Sequence, residues 1–305
     1  MHTLSPTEAG LRLVTCSMRG DLEIFAELAR SVDECVAPEI RHTVIVPTAD
    51  LPAFTPFATP QREIVAQETF LPWRLTKLPS ALKHLSGLIP SLRRPIYLAP
   101  GFRPVRGWII QQLLKIEVTL RAQEAAIMHV DSDVMFYRAL AAHQAIIDGK
   151  PCFFSVSGIP RNDTSIAWTR NSAALLGIDP PDGFDKIYVE NCILWSPAVV
   201  RRMVDRIEET HAKRYYDALI GTDTMSEYHI YGMYLDLIEG TEAVTPIDQS
   251  FCNSLWPGDA PAEYLDLLAG KADPRHHAIA IQSTEPMTAQ DRRALLEQAR
   301  TRLPA

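Results

Sequence analysis

Long hydrophobic runs are missing from this chain of 305 residues. None reaches the roughly 18 uninterrupted apolar residues that a membrane-spanning helix requires. The opening stretch, Met1 to Gly10, has neither the basic start nor the apolar segment of a secretory signal, which favours a cytoplasmic location. Cysteine is scarce and odd in number. The five residues Cys16, Cys35, Cys152, Cys192 and Cys252 are far apart and include no Cys-x-x-Cys pair for zinc or redox chemistry, so they read as free thiols in a reducing compartment. Neither Gly-x-Gly-x-x-Gly nor Gly-Lys-Ser/Thr occurs, which removes support for dinucleotide binding and for a P-loop. Internal repeats and low-complexity segments are absent as well.

Acidic residues are locally absent too. The net charge is −7, which argues against a general nucleic-acid binder. Yet between Thr69 and Ile116 there is no aspartate or glutamate, while Arg74, Lys77, Lys83, Arg93, Arg94, Arg103, Arg106 and Lys115 all fall inside. Such a window predicts a positive region able to attract phosphates, an anionic acceptor or an anionic lipid surface at the periphery of a membrane. Its first part, Phe70 to Pro104, is rich in proline and poor in periodic runs. It therefore reads as a long excursion over the ends of strands, of the kind that serves as a lid or binding loop.

What is present is an alternation of strands and helices in a composition that is 47% apolar and 22% charged, ordinary for one large soluble core. Leu11 to Met18 reads as a strand, Asp21 as the N-cap of a following helix, and His42 to Pro47 as a second strand. This order predicts a right-handed crossover and a parallel sheet. Ligands collect beyond the C-terminal ends of such strands, which makes Thr15, Ser17, Arg19, Thr48 and Asp50 candidate nucleotide contacts. Arg62 to Ala66 is a third strand and Trp108 to Gln123 a helix. After residues 134–145, strands follow at Cys152–Val156, Tyr188–Trp195, Glu242–Pro246 and His277–Gln282. Helices start at Ser196-Pro197, Ser226 and Thr288, and the stretch from Arg161 to Thr169 reads as irregular. The fold class expected is α/β: one domain over 1–305, with a mixed, mostly parallel sheet flanked by helices, a nucleotide half at 1–137 and an acceptor half at 138–305.

The chemistry concentrates at Ala126-Ile-Met-His-Val-Asp131-Ser132-Asp133-Val-Met-Phe, where two aspartates are the only charges in a core-like segment. In an extended chain, residues i and i+2 share a face, so both carboxylates project together. Two such groups at the end of a buried strand repel one another and are poorly solvated. A divalent cation with open positions for phosphate oxygens, Mg²⁺ or Mn²⁺, answers both problems.

With this motif, with Leu13-Val-Thr-Cys-Ser17, Gly107-Trp-Ile-Ile-Gln-Gln-Leu-Leu-Lys115 and Ser226-Glu-Tyr-His-Ile-Tyr-Gly232, the chain resembles the GT-A superfamily of nucleotide-sugar glycosyltransferases. Within it, the chain is most similar to a group of uncharacterised bacterial transferases. The resemblance implies a sugar donor linked to a nucleotide diphosphate, UDP first among them, and a glycan or glycolipid acceptor. It also implies Mn²⁺ or Mg²⁺ held by Asp131 and Asp133, with Asp131 and Ser132 among the nucleotide contacts. Many GT-A members add a histidine ligand near the C-terminus. His276 and His277 are the candidates, at most one of them serving because adjacent imidazoles point opposite ways, and His277 is chosen. His129 packs beneath the site. Lys115 and Arg106 are candidates to meet a diphosphate, with a solvated surface charge as the alternative for each.

A catalytic base would be a carboxylate. Glu227 is the choice from the resemblance, although Thr224-Met-Ser-Glu227 also reads as a capping box; Glu190 and Asp223 are alternates. Two rivals stand beside this reading. A phosphohydrolase of the haloacid dehalogenase type would use Asp131 as nucleophile and Asp133 as acid, and a non-catalytic protein could keep the same fold as a nucleotide-binding module.

Overall fold

The computed structural model describes residues 4, 10–71, 76–77, 96–99, 103–158, 162–179, 181–222, 224–255 and 275–302. In chain order the elements run β1 (Leu11–Cys16), α1 (Leu22–Cys35), β2 (Arg41–Val46), α2 (Leu51–Phe54), β3 (Arg62–Ala66), β4 (Thr76–Lys77), β5 (Ile96–Ala99), β6 (Arg103–Arg106) and α3 (Gly107–Leu120). The middle of the chain holds β7 (Ala126–Val130), β8 (Val134–Phe136), α4 (Ala142–Ala145), β9 (Ile146–Ile147), β10 (Lys150–Phe154), α5 (Asp163–Leu176) and β11 (Cys192–Trp195). Then come α6 (Pro197–His211), α7 (Tyr215–Leu219), α8 (Glu227–Tyr234), β12 (Thr245–Ile247), β13 (Cys252–Leu255), β14 (Ala278–Ile281) and α9 (Ala289–Arg302).

Five strands form the central sheet in the order β11-β7-β1-β2-β3. β7, β1, β2 and β3 are parallel, and β11 runs antiparallel to β7. This is the mixed, mostly parallel sheet flanked by helices that the sequence predicts. Alternation along the strands gives each face its own apolar layer. Leu11, Leu13, Val44, Val46, Met128 and Val130 pack with Phe25, Leu28 and Val32 of α1. Val14, Ile45, Ile127 and Trp195 pack with Ile109, Leu113 and Ile116 of α3 and with side chains of α6 and α8. β7 is apolar but for His129, whereas β1 and β2 bury Arg12, Thr15, His42 and Thr43 among their apolar residues.

A second, three-stranded sheet, β13-β14-β8, carries the chain away from the aspartates. Met135 and Tyr137 on one side of it, with Ile279 and Ile281, are covered by Leu295, Leu296 and Ala299 of α9. Arg292, fully buried, donates from its guanidinium to the carbonyls of Ile281 and Gln282, so α9 grips the end of β14.

Three local expectations need correction. The stretch read as irregular is the opening of α5: Asn162 Oδ1 accepts from Ser165 N at 2.9 Å while Asn162 N donates to Ser165 Oγ at 3.0 Å, a reciprocal cap. Its buried face begins with Thr169, Ser172 and Ala173 and gains leucines only at Leu175 and Leu176, so the opening turns carry no apolar periodicity. The strand expected from Tyr188 begins only at Cys192: before it, the Tyr188 hydroxyl is bonded to Asp236 and Asn191 N to the Glu190 carboxylate. Asp21 precedes α1 but makes no side-chain cap bond; a 3-10 turn at Arg19–Asp21 leads into the helix.

Candidate active site

The two aspartates lie on a turn that has left the central sheet. β7 ends at Val130, and Val134 N donates to Asp131 O at 3.2 Å. The face they share is therefore set by this turn, which corrects the expectation of simple strand alternation. The turn is strapped from both sides: Asp131 N donates to Asn191 O at 3.3 Å, and Ile281 N to Asp133 O at 3.2 Å. Ser283 N also donates to Asp133 Oδ2 at 2.9 Å. Asp133 Oδ1 is buried with no hydrogen-bond partner. Burial, and next the charge of Asp131, push the Asp133 carboxyl up to about 6, against the pull of the Ser283 N–H.

Beneath the turn, α3 presents Lys115. Its ammonium lies 3.2 Å from Asp131 Oδ1 and 3.2 Å from Glu227 Oε1. It donates to Tyr228 Oη at 2.6 Å and sits 4.5 Å from the centre of the Tyr228 ring. Burial works against this charge, but Asp131, Tyr228 and Glu227 hold it well above the ordinary lysine value. Glu227 is itself buried, which raises its pKa despite Lys115. The helix it opens is capped by Ser226, whose hydroxyl accepts from His229 N at 3.4 Å. Gln112 Oε1 accepts from Glu227 N at 3.2 Å. The capping box expected from Thr224 to Glu227 is thus not formed, and the Glu227 carboxylate belongs to Lys115.

Three adjoining cavities meet here. The first, about 480 Å³, is lined by Ser17, Tyr97, Trp108, Gln111, Asp131, Ser132, Asp133, Asn191, Gln282 and Ser283 among others. The second, about 770 Å³, lies between α5, α8 and β13 and has Phe154, Val156, Trp168 and Val189 with Glu190, His229, Gln249, Asn253 and Ser254 on its wall. A small one of about 160 Å³ shares Trp108, Gln111, Asp131, Asn191 and Gln282 with the first and Trp168, Val189 and Glu190 with the second, and adds Lys115 and Glu227. Trp108 and Trp168 face each other at this junction, 6.2 Å between ring centres.

Glu190 occupies the junction. Its Oε2 accepts from Ser254 Oγ and from Asn191 N at 3.2 Å, and Asn191 Nδ2 donates to Ser254 Oγ at 2.7 Å. Burial pushes the Glu190 carboxyl up to about 7 in spite of these bonds. His229, fully buried, has no hydrogen-bond partner on either ring nitrogen. It is packed between Trp168 and Tyr188, with ring centres at 5.4 and 5.5 Å, and burial pushes its imidazole down to about 4.

The other expected residues divide. Ser17 lines the first cavity with its hydroxyl buried and without a partner, and Ser132 lines it with its hydroxyl directed to Cys16 O at 3.4 Å. Thr15 does not reach the cavity. It is fully buried and bonded to His42 Nε2 at 3.0 Å; since His42 Nδ1 accepts from Arg62 at 3.1 Å, Thr15 is the acceptor. Asp50 accepts from Arg19 N at 2.9 Å on the surface, and Thr48 donates to Glu68 at 2.7 Å; neither lines the cavity. His277 is not brought to the aspartates: it lines none of the three cavities, its Nδ1 donates to Ala139 O at 2.6 Å and its ring stacks on Phe251. His276 lines the second cavity instead. His129 lies buried beneath, bonded to Thr119 and packed edge-on against Trp195. Arg106 is exposed. Asp223, most of the basic excursion, and the side chains of Lys77 and Arg103 lie outside the described residues.

Sequence reasoning missed Tyr228, Asn191, Ser283, Trp168 and His229 as site residues. Asn191 was visible as half of a polar pair inside an apolar run. Ser283 acts through its backbone N–H, which no side-chain pattern announces.

Fold and site together define an α/β protein with an acidic turn at the edge of a mostly parallel sheet. Residues 11–298 match the model of a family of unknown function (DUF6492), and the chain belongs to that family. No curated protein matches it. Among solved structures it is similar to the galactosyltransferase LgtC, crystallised in complex with donor and acceptor sugar analogs. The identity is 12%, the match covers 96% of this chain and 97% of that one, and the TM-score is 0.46.

Proposed function

We propose that this protein is a metal-dependent glycosyltransferase that moves a sugar from a nucleotide diphosphate donor, UDP-linked in the first instance, to a glycan or glycolipid acceptor. The observation that carries the reading is the acidic turn: Asp131 and Asp133 on the wall of one cavity, with a buried Asp133 oxygen that has no partner. A carboxylate so placed fits a cation, which would supply both the missing contact and the missing charge. Asp131 and Asp133 would hold Mn²⁺ or Mg²⁺, and when bound the ion would neutralise charge developing on the departing diphosphate.

The chain's own residues support the remaining tasks. Lys115 fixes a positive charge beside Asp131, where it orients that carboxylate and adds to the field at the junction. Ser17 and Ser132 offer hydroxyls to the nucleotide. Glu190 is the better placed base. Unlike Glu227, whose carboxylate is tied to Lys115, it lines both the junction and the second cavity, and a carboxyl near 7 is matched to proton removal from a hydroxyl at neutral pH.

Calorimetric titration with UDP, GDP and CDP, with and without Mn²⁺, tests this reading. Wild type should bind one nucleotide at least tenfold more tightly with the ion. Asp131→Asn and Asp133→Asn should each lose that gain while melting as folded proteins. Metal-independent binding in wild type, or unchanged affinity in both variants, overturns it.

A further inference from the structure

The second cavity carries information about what enters it. Among the described residues its wall has no lysine or arginine, while Glu190 and Asp248 contribute carboxyl groups. Arg275 lies beside Asp248 and is engaged with it at 2.9 Å. This environment is unfavourable to an anion. One side of the wall is apolar, with Phe154, Val156, Val189 and Trp168, and the other is rich in amide, hydroxyl and imidazole groups.

Four residues on that wall have buried polar atoms with no partner: Trp168 Nε1, both ring nitrogens of His229, Gln249 Oε1 and Asn253 Nδ2. Their chemistry is complementary in an unusual way. Trp168 Nε1 and Asn253 Nδ2 only donate, Gln249 Oε1 only accepts, and a neutral imidazole does one of each. An anion can only accept and leaves Gln249 unmatched. An ammonium can only donate and leaves Trp168 and Asn253 unmatched. Hydroxyl groups do both. These atoms are also already stripped of water, so bonds formed to them are not offset by their own desolvation. They lie just under the cavity surface, so an occupant that reaches them must displace a neighbouring side chain.

His229 is held in place for this task. Tyr188 packs against Gly232, one turn along α8, so closely that a Cβ there would lie 2.2 Å from the ring. Asp236 accepts from the Tyr188 hydroxyl at 2.6 Å. The ring that flanks His229 is thereby pinned at both ends.

We propose that the second cavity is a specificity site for an uncharged, hydroxyl-rich ring, with His229, Gln249 and Asn253 matching its hydroxyls, Trp168 meeting its C–H face, and anionic acceptors excluded. The proposal rests on the glycosyltransferase reading and gives its acceptor a charge class. It sets aside, for this cavity, the anionic acceptor that the basic window in the sequence invited.

Saturation-transfer NMR and calorimetry on the full chain, with UDP and Mn²⁺ present and absent, test it with three probes of one hexose: the methyl pyranoside, the 6-phosphate and the uronic acid. The methyl pyranoside should bind at least tenfold more tightly than either anion. His229→Phe and Gln249→Leu should each weaken it about tenfold with UDP affinity unchanged, and His229→Gln, which keeps a donor and an acceptor, should recover part of the loss. The anions binding as well as the neutral ring, no binding by any of the three, or full affinity in folded His229→Phe and Gln249→Leu each overturns the proposal. Neutral-ring binding that survives when no nucleotide binds leaves this inference standing and removes the transferase reading alone.

Discussion

Glu190 and Asp133 are both held in states that water would not choose, and in both the largest cause is burial. For Glu190 the direction fixes a pH signature. Below the ordinary glutamate value of 4.5, folded and unfolded chains both carry the proton and the residue contributes nothing. Between there and about 7 the unfolded chain releases the proton and the folded one keeps it, so stability falls as pH rises through this window and levels off above it. The span is worth about 3 kcal/mol. Urea denaturation between pH 4 and 8 should show that decline in wild type and a shallower one in Glu190→Gln; superimposable profiles would mean that Glu190 is not buried as described. A carboxyl kept protonated in this way costs stability at neutral pH, a cost that the proposed role of Glu190 as a base would explain. His229 belongs to the same family of costs, a buried ring with both nitrogens unmet.

At the scale of elements, α8 does the most work in the fewest residues. Ser226 caps it, Glu227 meets Lys115, Tyr228 meets the same lysine, His229 turns to the second cavity, and Gly232 makes room for Tyr188. All eight residues of the helix are buried, so nothing in its sequence shows an amphipathic stripe. Gly232→Ala should force the Tyr188 ring out of its notch. We expect a loss of about 1–3 kcal/mol by thermal or urea melting, with weakened binding in the second cavity. A variant as stable as wild type would show that Tyr188 moves aside freely. The same helix illustrates what the sequence conveys. Ser226 was legible as a helix start, but the choice between cap and ion pair for Glu227 depends on Lys115 and Gln112, more than a hundred residues earlier. The start of α5 was misread for a related reason, since the buried residues of its first three turns are Thr169, Ser172 and Ala173, and leucines enter the buried face only at Leu175 and Leu176.

For the molecule as a whole, the parallel pairing of β1 with β2 was legible from their strand-helix-strand order, and the end of β7 from an apolar run broken by two aspartates, although the turn that carries those aspartates was not. The partners that complete the site were not legible either. Asn191, Ser254, Gln282 and Ser283 come from loops and strand ends whose positions only the assembled sheets decide, and His277, attractive by its place near the end, is turned to Ala139 and Phe251. Long-range coupling of this kind makes α9 part of the site without touching it. Arg292 holds the carbonyls of Ile281 and Gln282, and the next N–H, that of Ser283, holds Asp133. Arg292→Met should therefore lower metal-dependent nucleotide affinity several-fold by calorimetry, beyond any fall in stability. Affinity equal to wild type in the folded variant would uncouple the helix from the turn.

The bond from Ser283 to Asp133 joins residues 150 positions apart. At about 5–20 residues per second on the ribosome, the aspartate is made roughly 8 to 30 s before the backbone donor that secures it. During that interval the turn exists without its final strap, and a nascent chain carries the acidic motif in an unfinished form. Any property of the turn that depends on this strap therefore waits until the growing chain has passed Ser283.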